Sequence, residues 1–227
     1  MRSRLVRRVR PGIAATLAMV DPYQEAWKRS NAADRDRAGP LWLALGDSTA
    51  QGIGAPAFDR GYVGQLRARL AARDGRRWRV ANASVTGARL GDVRAQLRWL
   101  DGLPAAPDLV TCAAGSNDLA WRLGLRRIER DLEQLLAALP RGAVVATMPR
   151  GLGERRPEAL NARIRREAPA RGAPVCAHTS AMTRARAGKL AADGFHPSEL
   201  GYRGWTAAFA AALGLPTAAE PDATDGR

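Results

Sequence analysis

Five short apolar runs that alternate with segments of helical hydrophobic spacing are the feature that most limits the fold of this chain. The apolar runs, each short enough for a strand, cover residues 41–45, 78–83, 108–114, 143–148 and 174–177. The segments with apolar residues three or four positions apart cover 61–73, 90–100, 128–139, 157–168 and 198–213. This alternation predicts a mostly parallel sheet with helices on both faces and right-handed crossovers. We therefore expect one three-layer αβα domain of the α/β class over residues 40–214.

The two ends of the chain lack this pattern. Residues 1–39 are polar and basic, and the stretch SNAADRDRAGP leads into the first strand. We interpret residues 1–39 as an N-terminal extension and linker. Residues 215–227 form a polar C-terminal tail that can bury little surface.

The chain is strongly basic, with a formal net charge of +14. A basic excess can serve nucleic acid or an anionic membrane. The sequence, however, contains no zinc knuckle, aromatic RNA-binding stretch or phosphate-binding loop. We therefore expect no nucleic-acid partner, and at most a weak contact of the basic N-terminus with a membrane surface. The densest group of basic residues is Arg2, Arg4, Arg7, Arg8 and Arg10.

The start of the chain has the outline of an export signal, with a basic head that includes the pair Arg7 and Arg8 and a mildly apolar stretch. The apolar stretch is weak, contains Pro11 and Gly12, and lacks a clear small-residue cleavage site. It is also shorter than the roughly 18 apolar residues that indicate a transmembrane helix. We expect a cytoplasmic protein, with export through this twin-arginine-like segment as the alternative.

Cysteine and histidine are scarce. Cys112 and Cys176 both lie in apolar runs, where a free cysteine packs as a small apolar residue. The chain has only two histidines, which argues against a zinc site, and two cysteines do not indicate a disulfide framework. We expect neither a metal nor another cofactor.

Polar residues follow the carboxyl ends of the predicted strands, which is where ligands bind in open α/β sheets. Ser48 follows the first strand, and serine needs an adjacent base to become an effective nucleophile. The chain offers only His178 and His196 as that base. His196 has an acid, Asp193, three residues earlier, which follows the logic of a Ser-His-Asp triad. We interpret His178 as a structural residue; for His196 the plain alternative is a residue that merely starts a helix.

Two further strand ends carry candidate hydrogen-bond donors. Gly87 has no side chain, so its backbone N–H can approach a ligand closely. Asn117 offers a neutral amide in the sequence GSND. Alone, each has an ordinary explanation, as a turn glycine or an Asx turn. Together, at successive strand ends, they indicate donors for a developing negative charge.

In combination these motifs resemble the SGNH (GDSL-type) hydrolase family. The match runs in order through residues 46–48, 87, 115–118 and 193–197. The resemblance implies a flavodoxin-like, five-stranded sheet and the hydrolysis of an ester. It also implies the roles of the site residues: Ser48 as nucleophile, His196 as base, Asp193 as its orienting partner, and an oxyanion hole formed by the backbone amides of Ser48 and Gly87 and the side chain of Asn117.

The sequence departs from the family in one place and excludes a related fold in another. Thr49 stands where the family usually has leucine or isoleucine, which leaves the chemistry unchanged. The G-x-S-x-G elbow typical of α/β-hydrolases is absent around Ser48, because Ala50 occupies its last position.

We therefore expect a cofactor-free serine esterase that works through an acyl-enzyme on a small-molecule ester. The substrate classes open to it are an acylated sugar, a lysophospholipid and a small ester. Trp121 and Arg150 are candidate substrate-binding residues, although Trp121 also fits the core face of a helix and Arg150 can simply meet water. The alternative function is a non-catalytic protein that binds anionic membrane or nucleic acid through its basic arm.

Overall fold

The computed structural model describes residues 10–120, 124–149, 155–173, 175–176 and 187–216. These residues form one sheet of five strands, namely β1 (Leu41–Gly46), β2 (Arg79–Asn82), β3 (Leu109–Ala113), β4 (Val144–Ala146) and β5 (Val175–Cys176). The strand order is β2-β1-β3-β4-β5, and all neighbours are parallel. This is the flavodoxin-like order, which has its topological switch point between β1 and β3. The predicted fold class is confirmed.

The central strand β1 shows why the sheet is covered on both faces. Its sequence LWLALG is buried at every position. Leu43 and its neighbours two residues away belong to one apolar core, whereas Trp42 and Ala44 belong to the other. Side chains alternate between the faces of a strand, so a run that is apolar at every position needs a helical layer on each side.

The helices supply these two layers. The first face carries α5 (Leu90–Ala95), a 3₁₀ turn (Gln96–Gly102), α7 (Leu125–Ala138) and α8 (Arg155–Ala170). The second face carries α4 (Tyr62–Asp74) and α9 (Glu199–Ala212), whose aromatic residues Tyr62, Trp205 and Phe209 stack on one another. The predicted three-layer αβα arrangement is therefore present. The helix expected over 90–100 is split, with a 3₁₀ turn as its second half.

The N-terminal region differs from the expected extension and linker. Residues 10–39 contain two helices, α1 (Pro11–Leu17) and α2 (Val20–Arg35), and Trp27 of α2 is buried in the second core. The side-chain amide of Asn31 exchanges two hydrogen bonds, of 2.9 and 3.0 Å, with the backbone of Asn82 on the edge strand β2. The helix thus covers a sheet edge that would otherwise present unpaired backbone groups. Residues 20–35 are therefore packed against the sheet as a helix.

The buried carboxylate of Asp34 fixes the end of α2. It lies 2.7 Å from the Arg67 guanidinium on α4 and accepts a bond of 3.3 Å from the Val80 amide on β2. Polar residues that suggested a linker therefore bond to the sheet and its neighbouring helix.

The C-terminal boundary also shifts slightly. Leu215, which we assigned to the polar tail, is 6% exposed and packs in the second core. The remainder of the predicted tail, from residue 217, lies outside the described residues. Among the helices that the structure describes, none has both the length and the apolar character needed to cross a bilayer.

Candidate active site

Ser48 begins a short helix, α3 (Ser48–Gln51), directly after the central strand. Asp47 caps this helix, and its side chain accepts a hydrogen bond of 2.9 Å from the Thr49 amide. A Cβ on Gly46 would lie 2.5 Å from the carbonyl oxygen of Ala113, so only glycine permits the sharp exit from the strand. The local sequence GDS thus places the serine at the carboxyl edge of the sheet.

The peptide that precedes Ser48 is held by Gln96, a residue that the sequence analysis missed. The side-chain amide of Gln96 accepts from the Gly46 N–H at 2.9 Å and donates to the Gly46 carbonyl at 2.8 Å. It is 6% exposed and reaches β1 from the first helical layer. A glutamine at an inward position of an apolar helix was the available signal, because a buried polar group needs partners.

His196 lies in the loop that precedes α9, and its ring bonds on both sides. Its Nε2 is 2.9 Å from Ser48 Oγ, and its Nδ1 is 2.6 Å from Asp193 Oδ2. The second carboxylate oxygen of Asp193 accepts from the backbone amides of Phe195 and His196, at 2.9 and 3.0 Å. These are the distances at which a base can take a hydroxyl proton while an acid orients the imidazole.

Asp193 is held in its ionised form by its hydrogen bonds. Burial opposes ionisation, but the bonds from the His196 ring and from two backbone amides outweigh it. The pKa of Asp193 therefore lies below its ordinary value. A carboxylate in this state can stabilise a positively charged imidazole beside it.

Gly87 lies in the loop after β2, and this loop is fastened to the serine helix by Gln51. Gln51 donates 3.0 Å to the Ser84 carbonyl and accepts from the Thr86 hydroxyl at 2.5 Å. Gly87 has φ of 82°, and a Cβ there would meet nothing within 4 Å. In the part of the chain that the structure describes, the Gly87 amide has no hydrogen-bond acceptor. Gln51 was not singled out from the sequence, because its partners are distant in the chain.

Asn117 lies just after β3, in the short helix α6 (Ser116–Ala120). Its Nδ2 donates 2.9 Å to the carbonyl of Ala88, in the Gly87 loop, and lies 3.3 Å from Asp47 Oδ2. The side chain thus connects the Gly87 loop to the residue beside Ser48. In this state both amide protons are directed at protein oxygens, the second through a long bond.

Comparisons with known proteins identify the family of this chain. The family model of the GDSL-like lipases and acylhydrolases matches residues 44–203, which is more than half of the chain. The chain belongs to the GDSL-like lipase/acylhydrolase family. It is accordingly an ester hydrolase, as predicted, rather than a non-catalytic binding protein.

Solved structures resemble this GDSL hydrolase over nearly their whole length. LAE5, an α/β hydrolase enzyme from the metagenome of Lake Arreo in Spain, has a TM-score of 0.64 at 25% identity and covers 80% of this chain and 98% of its own. The lipase/acylhydrolase from Enterococcus faecalis has a TM-score of 0.63 at 22% identity, with coverages of 80% and 100%. A variant of Axe2, an acetyl xylan esterase from Geobacillus stearothermophilus, has a TM-score of 0.63 at 21% identity, with coverages of 81% and 98%. A search of curated proteins found no significant match.

The acid next to the serine in this GDSL hydrolase is deeply buried. Burial raises the pKa of Asp47 to about 6, against the hydrogen bonds from Thr49 and the nearby His196, which lower it. The buried Asp118 also raises it, and the pKa of Asp118 is itself raised by burial. The two acids on the sheet side of the site therefore differ from Asp193, whose pKa is lowered.

Several residues named from the sequence lie outside the described residues. These are Trp121, Arg150 and His178. An open cavity of about 370 Å³ adjoins the Gly87 loop; it is lined by Val85, Thr86, Gly87, Ala88, Asp92, Ala95, Gln96 and Arg98. Among the described residues, no three His, Cys, Asp or Glu side chains are grouped so that they could hold a metal ion.

Proposed function

We propose that this hydrolase cleaves esters by a serine mechanism with Ser48 as nucleophile. Ser48 Oγ attacks the carbonyl carbon while His196 Nε2 takes the hydroxyl proton, and His196 then gives that proton to the departing alcohol. Water, deprotonated by His196, releases the acid from the acyl-serine and regenerates Ser48. Asp193 stabilises the imidazolium through its bond to Nδ1. The observation that carries this proposal is the unbroken chain of contacts from Ser48 Oγ through His196 to Asp193, at 2.9 and 2.6 Å.

We propose that the oxyanion is stabilised by the amides of Ser48 and Gly87 and by the side chain of Asn117. Ser48 is the first residue of α3, so its N–H has no acceptor within the helix. The Gly87 amide is likewise free of acceptors among the described residues. Asn117 joins them by exchanging its 3.3 Å contact with Asp47 for the oxyanion. Each such donor is worth about 2.7–4 kcal/mol of transition-state stabilisation.

We propose small esters as the substrate class, in preference to lysophospholipids. The cavity beside Gly87, at about 370 Å³, lies near the lower end of the roughly 300–1,000 Å³ found for ligand pockets. Its lining includes Gly87 of the proposed oxyanion hole but neither Ser48 nor His196, and a space of this size takes a short acyl or alcohol group. Trp121 and Arg150 remain proposed contacts of the substrate.

Activity-based labelling tests the nucleophile. A fluorophosphonate probe should label the wild-type protein and fail to label Ser48→Ala, while His178→Ala should be labelled normally. Labelling that persists in Ser48→Ala would contradict the assignment. Activity should also be unaffected by EDTA, since Ser48 and His196 supply both nucleophile and base.

A panel of p-nitrophenyl esters of graded chain length tests the substrate class. We expect kcat/KM to be highest for the short acyl chains. It should fall for acyl chains of roughly ten carbons or more, because a pocket of this size excludes a chain of that length. An optimum at the longest chains would favour a lysophospholipid.

We also propose that the basic N-terminus contacts anionic lipid surfaces weakly. Five of residues 2–10 are arginine, and Ile13 and Leu17, one turn apart on α1, are 39% and 60% exposed. Each arginine near an anionic surface contributes about 1 kcal/mol. Sedimentation with phosphatidylserine vesicles should be salt-sensitive and weaker for Leu17→Ser, and binding to phosphatidylcholine vesicles should be negligible. Equal binding to both vesicles would contradict the proposal.

We propose that the protein acts in the cytoplasm, with the N-terminal segment retained. The support is that α1 and α2 are both packed on the domain, with Thr16 and Trp27 each 4% exposed. N-terminal sequencing of protein from its native cells tests this. A start beyond residue 10 would favour export.

A further inference from the structure

The segment that precedes the family match touches both halves of the proposed triad. The family match begins at residue 44, and both α1 and α2 lie before it, the second ending at Arg35. We call residues 10–35 the N-terminal clasp. Its contacts lie at the turn after Ser48 and at the loop that holds Asp193 and His196.

The first contact joins α1 to the loop of residues 187–198, which we call the histidine loop. A Cβ built on Gly12 would lie 2.1 Å from the carbonyl oxygen of Ala192 and 2.6 Å from its carbonyl carbon. The helix backbone therefore rests directly on the peptide that precedes Asp193, at a spacing that only glycine allows. Thr16, one turn later, is buried and bonds back to the Gly12 carbonyl at 3.0 Å, so the same face of α1 points inward.

The second contact joins α2 to the turn after Ser48. The Tyr23 hydroxyl donates 2.6 Å to the carbonyl of Ala55, and the Trp27 indole donates 3.1 Å to the carbonyl of Gln51. The Gln51 carbonyl lies at the end of α3, and the Ala55 carbonyl lies in the turn that follows it. The Trp27 ring also packs on Phe58 in a T-shaped arrangement, with ring centroids 4.9 Å apart.

The turn and the histidine loop meet each other at Gly54. A Cβ there would lie 2.4 Å from the Pro197 carbonyl oxygen and 3.0 Å from the Cβ of His196. Within the described residues the histidine loop contains one isolated bridge, between Leu190 and Pro197, and no strand or helix. Bonds from the Ala191 amide to the His196 carbonyl and from the Ser198 amide to the Lys189 carbonyl hold the shape of the loop. Its placement depends on packing against Gly201 of α9, Gly54 and Gly12. The clasp makes the contact at Gly12 directly, and through α2 it supports the turn that carries Gly54.

We propose that the N-terminal clasp positions the Asp193–His196 loop against Ser48, with Gly12 as a positioning residue. The inference rests on the proposed triad. A displacement of about 1 Å can cost about a hundredfold in rate, because proton transfer needs a short and aligned contact. A side chain at Gly12 would push the loop at Ala192, one residue from Asp193, without touching the substrate.

Full-length variants test the clasp. Gly12→Ala should lower kcat about tenfold to a hundredfold and leave KM within about twofold. The matched control is Gly91→Ala: Gly91 also lies in a helix, but a Cβ there would meet nothing within 4 Å. Gly91→Ala should keep the wild-type kcat and melt at the same or a slightly higher temperature. An unchanged kcat in Gly12→Ala, even with a lower melting temperature, would show a merely structural role and overturn the proposal.

Proton NMR reports the geometry of the triad independently of the stability of the fold. The proton in the 2.6 Å bond between His196 Nδ1 and Asp193 should resonate far downfield in the wild type and disappear in Asp193→Asn. It should persist in Ser48→Ala, and it should shift or broaden in Gly12→Ala. A wild-type resonance in Gly12→Ala would count against the clasp, while fluorophosphonate labelling of Ser48→Ala would count against the triad itself.

Tyr23→Phe tests the other arm and decides the matter if Gly12→Ala does not fold. It removes one hydroxyl and keeps the ring, so it should fold. Loss of the bond to Ala55 should lower kcat about two- to tenfold with KM unchanged. A wild-type kcat in Tyr23→Phe would mean that this contact does not position the triad, and where Gly12→Ala does not fold it would overturn the proposal.

Discussion

The two halves of the proposed triad lie in regions of opposite character. Ser48 belongs to residues 41–53, which are buried at every position and run from the central strand into α3. Asp193 and His196 belong to residues 187–198, where Pro197 alone is classed as buried. The nucleophile is thus placed by the core, and the base is placed by a few loop contacts. The comparison teaches that a fault in the core should act on stability, whereas a fault near the loop should act on rate.

The acids of the two regions show the same difference in their pKa values. Asp47, on the core side, has a pKa raised by burial to about 6. Asp193, in the loop, has a pKa held below its ordinary value by hydrogen bonds. The core side disfavours the negative charge of Asp47, whereas the loop favours the negative charge of Asp193 beside the imidazole.

The largest expected effect tests whether the two regions act as one catalytic unit. Ser48→Ala and His196→Ala should each lower kcat by about 10⁴-fold or more, and the double variant should be little worse than either. His178→Ala should stay within a few-fold of wild type. Steady-state kinetics on p-nitrophenyl acetate measures this. If His178→Ala were inactive and His196→Ala active, the base would have been assigned to the wrong histidine.

The sequence predicted those parts of the fold and site that depend on local pattern. The strands were located because apolar runs such as LWLAL must be buried on both faces, and Ser48, Asp193 and His196 were found because acyl transfer needs their side-chain chemistry. Their roles stay predictions until the variants are measured. The α/β class and family followed from these same residues.

The parts that the sequence analysis missed depend on contacts between distant residues. Asn31 and Asp34 were assigned to a linker because they are polar, but they bond to the backbone of β2. Gln51 and Gln96 each bond to backbone groups more than thirty residues away in the chain, as in the bond from Gln51 to Ser84. The short helices α3 and α6 span only 4 and 5 residues, too few for a periodic pattern to be recognised.

A smaller effect is expected at Asn117, which stands on the core side of the comparison. Asn117→Ala and Asn117→Asp should both lose about 10²–10³ in kcat, because one oxyanion donor is removed. The Asp variant should be the worse at neutral pH, since it places a negative charge against the oxyanion and beside Asp47.

The control for Asn117 is a buried amide with a structural role only. Asn161 bonds to both the N–H and the carbonyl of Met148, at 2.7 and 2.9 Å. Asn161→Ala should lower the melting temperature and leave the kcat of the folded protein unchanged. If Asn117→Ala instead raised KM at constant kcat, Asn117 would bind the substrate and the oxyanion hole would lie elsewhere.

The pH dependence of stability sharpens the contrast between the two acids. The folded-state pKa of Asp47, about 6, exceeds its ordinary value of 3.8, so the folded protein binds the proton more tightly. Asp47 should therefore make the protein less stable as pH rises from about 4 to 6, by an amount on the order of 3 kcal/mol. Asp47→Asn should gain stability relative to wild type across that window, as urea unfolding at pH 4, 5, 6 and 7 would show.

Asp193→Asn should show a pH dependence of stability with the opposite sign. Because the folded-state pKa of Asp193 is lowered, its stabilising contribution is present above the ordinary value and is lost as pH falls through the folded value. The stability difference between wild type and Asp193→Asn should hence be constant from pH 5 to 7 and shrink only below about 4. If both variants changed with pH in the same direction, the electrostatic contrast between the two regions would be refuted.

The smallest expected effect concerns Phe195, at the exposed side of the histidine loop. Its ring is 39% exposed and meets the His196 ring edge to face, with centroids 5.0 Å apart. Such a pair is worth about 0.5–1.5 kcal/mol beyond burial, so it can favour one ring orientation without determining it. Phe195→Ala should lower kcat about two- to tenfold, and Phe195→Tyr, which keeps the ring, should restore it. Because the bonds from Asp193 already fix the imidazole, the loss should remain below that of Gly12→Ala; a greater loss would mean that the loop is positioned from its solvent side rather than by the clasp.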